Sequence, residues 1–384
     1  MAIIQGAITI LLFIFILCAL VVIHEFGHFV LARFFGIRVH EFGIGFPPRA
    51  KVMRDRGETI YTLNWLPVGG FVRLEGEDGD SDDPRSFAVA ALPKKLLVLL
   101  AGVGMNLLLA FVIFTGIAWL ATPQGGIIFN EVVAGSPADL SGLRAGETIL
   151  AIDGTTFDLL PSPEAGQHAI AALRERAGQT VTLRVRAADG AERDVTVTLR
   201  PPDVAADKGA LGIRSAGLAF SGTYAGRDPL AAVGAGAAWT VSAFRLIIDG
   251  LASLVSSIAS NPTQAPPVTG PIGIAVQVGD VFWKLGPIFT LYLAGLLSAN
   301  LALVNILPFP PLDGGRILVL LLKSLLANGG ALMRRVGVRG GGISAQTAIS
   351  MERLTYLVGF VFLFGFLIWI TYFDIARQVG GGTP

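Results

Sequence analysis

Long apolar runs alternate with polar stretches along this chain, on a length scale set by a lipid bilayer. A helix needs about 20 predominantly apolar residues to cross the hydrocarbon. Four runs meet that length: Ile3 to Ala32, interrupted only by a short polar group, Leu96 to about Ala121, Leu285 to about Leu307, and Leu354 to Phe373. The one long polar region lies between the second and third, at roughly residues 124–228. Residues 229–258 are rich in Ala, Gly and Ser and carry Arg245 and Asp249, which reads as an amphipathic or surface helix rather than a span. Segment 40–75 alternates β-branched and aromatic residues between Gly and Pro, the pattern of short strands. The Gly-rich stretch 327–350 reads as a flexible loop.

Composition agrees with a membrane protein. Charged residues make up 15% of the 384, against about 25% in an average soluble domain, and mean hydropathy is +0.66. A net charge of +1 gives nucleic acid no footprint to bind. The single Cys18 allows no disulfide and reads as an apolar residue of the first span. No positively charged segment precedes that span, so it is not read as a cleaved signal peptide. Lys and Arg crowd residues 33–95 and 313–353, which places both on the cytoplasmic side. The amino terminus and the polar region then lie outside.

The polar interruption of the first span is His24-Glu25-Phe26-Gly27-His28. Four positions apart on a helix, two imidazoles project from one face and can hold one zinc ion. The intervening carboxylate of Glu25 can act as general base on an attacking water. Ionisable groups at membrane depth are costly and usually functional. A catalytic zinc commonly takes three protein ligands, so one is missing. His40 and Glu41 qualify by residue type alone. Asp313 is the better candidate: it closes an uncharged stretch and follows Pro308, Pro310 and Pro311, which cannot sustain a helix. Broken backbone at that depth is tolerated where protein or a water-filled cavity covers it.

His24-Glu25-x-x-His28, combined with Asn305-x-x-Pro308-x-Pro310-x-Leu312-Asp313-Gly314, resembles the site-2 protease family of intramembrane zinc metalloproteases. Gly43-Ile-Gly-Phe-Pro47, Pro67-Val-Gly-Gly-Phe-Val72 and Gly270-Pro-Ile-Gly273 extend the likeness over most of the chain. The resemblance implies that His24, His28 and Asp313 bind Zn2+ and that Glu25 is the catalytic base. It implies that a membrane-associated β-loop at 59–74, with Gly69, Gly70 and Phe71, guides the substrate, and that Asn300 and Asn305 contact its unwound segment. The string Gly102-Val-Gly-Met-Asn106 departs from the Gly-Pro pair that many relatives carry there.

Within the polar region, Ser136-Pro137-Ala138 reads as a capped short helix. Gly146 to Gly154 reads as turn, strand, turn, and strands follow at Val181 to Val185 and Val195 to Leu199; the string Glu131 to Gly154 resembles a PDZ domain of the bacterial protease type. Gly125-Gly126-Ile127-Ile128 would precede a strand edge open to a peptide carboxylate.

The expected architecture is a polytopic α-helical membrane protein with about four transmembrane helices, a membrane-associated β-loop and one inserted extracytoplasmic PDZ-like domain. Its parts are a first membrane segment at 1–122, the PDZ-like domain at 123–205, a linker and surface helix at 206–283, and a second membrane segment at 284–384. The expected activity is zinc-dependent cleavage of single-span membrane proteins, such as anti-sigma factors or remnant signal peptides. An upstream site-1-type protease would cut first. The setting would be the bacterial inner membrane, with the active site towards the cytoplasm. A zinc transporter or a catalytically inactive PDZ-bearing scaffold are the alternative classes.

Overall fold

Residues Ala2–Phe34 wind into helix α1, which carries no acidic residue before Glu25. The computed structural model describes residues 2–55, 57–77, 81–161, 165–261, 265–335 and 345–379. They divide into two compact units, Met1–Ile113 with Thr240–Pro384, and Phe114–Trp239.

In the first unit α1 leads into strands β1 (Val39–Arg54) and β2 (Ile60–Leu74), then helix α2 (Leu92–Leu120). Both strands bend, so Gly43 lies opposite Phe71 on one side and Thr62 on the other. Residues 70–74 have cross-strand partners on one side only, which makes them an edge. Inside this hairpin Glu41 is 3% exposed. It accepts from Arg49 Nε at 2.9 Å and from Thr62 Oγ1 at 2.9 Å, with Arg73 3.9 Å away. Burial works against its charge, but these partners outweigh burial and hold the carboxyl below its ordinary range. The network therefore supports the hairpin at neutral pH and weakens on acidification.

Helices α7 (Pro271–Leu285), α8 (Pro287–Ile306), α9 (Asp313–Arg335) and α10 (Ala345–Val379) complete this unit after α6 (Pro229–Ser260). Helix α8 stops at Ile306, ahead of Pro308, and the chain resumes helix at Asp313. A Cβ on Gly314 would lie 2.2 Å from the Ile306 carbonyl oxygen, so the turn closes only with glycine there. Residues 327–335 and 345–350, read from the sequence as loop, are helical, and 336–344 lie outside the described residues.

Among the described residues five helices are long and apolar enough to cross a membrane: α1, α2, α6, α8 and α10. The sequence reading counted four and set 229–258 aside. Its charges, Arg245 and Asp249, are four positions apart and share one face, which leaves the rest of α6 uncharged.

The second unit is a six-stranded sheet in the order β7-β6-β4-β5-β3-β8. Its strands are β3 (Thr122–Val132), β4 (Thr148–Ile152), β5 (Thr155–Asp158), β6 (Thr180–Arg186), β7 (Glu192–Thr198) and β8 (Ile213–Ala225). Helices α3 (Pro137–Leu140), α4 (Ala165–Glu175) and α5 (Pro202–Lys208) connect them. Phe129, Ile149, Leu183 and Val185 are fully buried in its core. Ser136 caps α3, accepting from the Asp139 N–H. The sequence reading ended this unit at residue 205, whereas β8 adds a strand at 213–225. That strand also corrects the open edge expected at Gly125 to Ile128. Gly125 pairs with Phe157 on one side and Phe220 on the other, so no edge is free there.

One anchor in the membrane unit is testable. Asp374 of α10, 3% exposed, accepts from the backbone N–H groups of Gly270 at 3.2 Å and Gly273 at 2.9 Å, at the start of α7. Asp374→Ala leaves both donors unpaired, that of Gly270 buried and that of Gly273 partly so, an expected loss of about 1–3 kcal/mol. Denaturant titration of the protein in detergent, compared with wild type, checks it.

Candidate metal centre

Helix α1 projects His24 and His28 from one face, 6% and 7% exposed, with ring centroids 4.8 Å apart and planes at 81°. Asp313 opens α9 just beyond the proline-broken segment, which carries its carboxylate to the same point. His24 Nε2 lies 3.0 Å and His28 Nε2 3.4 Å from Asp313 Oδ2, and the two Nε2 atoms are 3.2 Å apart. These three distances are the edges of a near-equilateral triangle. A tetrahedral zinc with bonds of about 2.0–2.1 Å separates its ligand atoms by about 3.3 Å. The residues therefore fit zinc in chemistry and in spacing. Glu25 joins the cluster, with the ligand atoms of His24, Glu25 and His28 all within 4.8 Å of one another.

His40 and Glu41, the other ligand candidates by residue type, are engaged elsewhere. His40 Nε2 pairs with Glu75 Oε2 at 2.5 Å, and Glu41 is held by Arg49.

A cavity of about 350 Å³ opens over the centre, lined by His24, Glu25, Phe71, Asn305, Asp313 and Arg316 among others. The edge of β2 borders it: the Val72 N–H donates to Glu25 Oε2 at 3.1 Å. Gly70 and Phe71 line the cavity, while the Gly69 carbonyl accepts from the Cys18 thiol at 3.4 Å. Cys18 thus meets β2 within the protein. The Asn305 amide lies 3.5 Å from His24 Nε2. Asn300 is half-buried on α8 and is not among the lining residues.

Two groups of residues escaped sequence reasoning. Glu77 accepts from the Leu74 N–H at 3.3 Å and pairs with Arg316, one turn past Asp313. Helix α2 presents Val98, Gly102 and Asn106 to the imidazoles, and their fourfold spacing puts them on one face. His28 Nδ1 donates to the Val98 carbonyl at 2.8 Å, and the buried Asn106 amide lies 3.2 Å from His24 Nδ1. An asparagine inside an uncharged span was the available signal, because a polar side chain there seeks a partner.

Two histidines, a carboxylate and an adjacent glutamate at the mouth of a cavity among apolar helices define a multi-pass membrane zinc metalloprotease. Residues 12–338 match the profile of Peptidase family M50. The chain belongs to that family, the site-2 proteases, which is zinc-dependent and acts on membrane-protein substrates. A Clostridium perfringens protein provisionally named a zinc metalloprotease is 31% identical over 93% of this chain and 95% of its own length. Zinc metalloprotease RasP of Geobacillus kaustophilus is 26% identical over 96% and 98%. A Nostoc relative, also provisionally named a zinc metalloprotease, is 33% identical over 83% and 86%.

The α2 face makes a direct prediction. A Cβ on Gly102 would lie 2.4 Å from His28 Nε2 and 2.7 Å from His24 Cε1. Gly102→Ala should displace both rings and weaken zinc binding by about 10–100-fold, as loss of an orienting contact does. Competition against a chelator of known affinity measures the shift.

Proposed function

We propose that this protein is an intramembrane endopeptidase that cuts the spanning segment of single-span membrane proteins after another protease has removed their outer part. The observation that carries the reading is the contact between Val72 and Glu25: the general base sits directly against an edge strand. A peptide bond inside a helix is shielded by its own hydrogen bonds, so a substrate must unwind before it can be cut. Residues 70–74 offer such a segment an edge to pair with. Asn305, Gly70 and Phe71 line the space it would occupy, and Gly69 stands next to them with φ +93°. Asn300, one turn before Val304 on α8, is the less favoured contact because the cavity lining does not include it.

His24, His28 and Asp313 are the metal ligands in this reading. Zinc, when bound, supplies Lewis acidity to the scissile carbonyl and to the attacking water. Glu25 takes the proton of that water and returns it to the departing amide nitrogen.

The membrane topology follows from parity. His24 lies in the later part of α1 and Asp313 just past the end of α8, and the two meet, so α1 and α8 run in the same direction and α2 runs against them. An even number of crossings must then separate the end of α2 from the start of α8. If α6 crossed, α7 would have to cross as well. At 15 residues, and about 1.5 Å per residue, α7 falls short of the roughly 30 Å of hydrocarbon. Four crossings, with α6 along the surface, satisfy the count. Lys and Arg of residues 33–95 then face the cytoplasm of a bacterial plasma membrane, and the sheet of residues 122–225 lies outside.

That sheet, with its capped helix α3, supports a PDZ-like domain. Because β3 is paired on both sides, the domain is read as a size filter that excludes bulky ectodomains rather than as a receptor at Gly125 to Ile128. Substrates would be trimmed proteins of the anti-sigma-factor or remnant-signal-peptide kind.

Two outcomes test this function. Glu25→Gln should keep zinc and fold while cleavage of a reporter span falls by at least about 100-fold; cleavage at the wild-type rate would overturn the mechanism. Thr122 and Ala225 are cross-strand partners, so a short Gly-Ser turn can replace residues 123–224. The shortened protein should cut untrimmed and trimmed reporters alike, and continued discrimination between them would overturn the filter.

A further inference from the structure

For His24 and His28 to bind one metal through Nε2, each ring must carry its hydrogen on Nδ1. That requirement holds where both are ligands, as proposed above.

His28 meets the requirement without choice. Its Nδ1 faces the Val98 carbonyl at 2.8 Å. A carbonyl only accepts, so Nδ1 holds the hydrogen and Nε2 keeps its lone pair.

His24 faces an amide instead. Asn106 is fully buried, and its Nδ2 lies 3.2 Å from His24 Nδ1. In that orientation the amide donates, the ring hydrogen sits on Nε2, and Nε2 suits a hydrogen bond to Asp313 rather than a metal. Asn106 Oδ1 is buried without a partner among the described residues, and turning the amide over puts Nδ2 in that place. A half-turn about Cβ–Cγ exchanges the two ends of the amide. Oδ1 then accepts from Nδ1–H, and Nε2 presents its lone pair beside Asp313 Oδ2. The backbone of Asn106 is held throughout, because Ser298 Oγ donates to its carbonyl at 2.8 Å.

We propose that Asn106 is a positioning residue for the metal centre: its side-chain oxygen accepts from His24 Nδ1–H and selects the tautomer that binds zinc. An amide can serve either tautomer by turning over, so His24 is adjustable where His28 is fixed.

The test uses the full chain purified in detergent and reads zinc affinity by chelator competition, with the absorption spectrum of the cobalt-substituted protein as a second measure of ligand geometry. Asn106→Leu removes the acceptor and should weaken zinc binding by about 10–100-fold. Asn106→Asp keeps an acceptor and should stay within about threefold of wild type, with an unchanged cobalt spectrum, as the carboxylate–histidine–zinc arrangement allows. Wild-type affinity in Asn106→Leu overturns the assignment. Equal weakness of the two variants overturns it too, because the donating end of the amide is then the one that matters. Should Asn106→Asp not accumulate, nitrogen resonances of histidine-labelled, zinc-loaded wild type decide: a protonated His24 Nδ1 supports the proposal, and an unprotonated one overturns it. His24→Ala is the control. If it keeps wild-type zinc affinity, the ligand reading itself fails. If it loses zinc while Asn106→Leu does not, only the role of Asn106 fails.

Discussion

The structure depends on the meeting of one carboxylate with two imidazoles among apolar helices. Asp313 and His24 are 289 positions apart in the chain and 3.0 Å apart in space. Neither group is tolerable alone at that depth, since an isolated ionisable side chain in a low-dielectric setting costs several kcal/mol. Each makes the other affordable, and a divalent cation makes both favourable. Several local features serve this meeting: the four-residue spacing on α1, the proline-broken end of α8, and the glycine that lets α9 begin hard against it.

Helix α2 has a part that only three dimensions reveal. Its carbonyl at Val98, its bare backbone at Gly102 and its amide at Asn106 form a single stripe along one face. One orients a ring, one makes room for both rings, and one faces the second ring's far nitrogen. The string Gly102 to Asn106 looked like a departure from a pattern when read along the chain. In space it is the wall against which the histidines stand.

Much of this was legible beforehand, for physical reasons. Bilayer thickness imposes a run length that any span must meet, so α1, α2, α8 and α10 were evident from hydropathy. A helix converts i, i+4 spacing into a shared face, so His24 and His28 could be paired. Prolines announced the break before Asp313. Strand boundaries around Val181 and Val195 followed from alternation. The failures are equally physical. A strand that completes a sheet from a distance, as β8 does, leaves no local mark, so the sheet's far boundary and the pairing of Gly125 were misjudged. Backbone donors such as the Val72 N–H and side chains such as Glu77 gain meaning only from what they face.

The ion pair between Glu77 and Arg316 has a mechanical consequence. Glu77 also holds the last residue of β2, and Arg316 rides on the same helical turn as Asp313. The border of the cavity and the start of α9 at Asp313 are thereby yoked. Moving that border outward strains a charge pair rooted beside Asp313, so the width of the cleft and the position of that carboxylate cannot change separately.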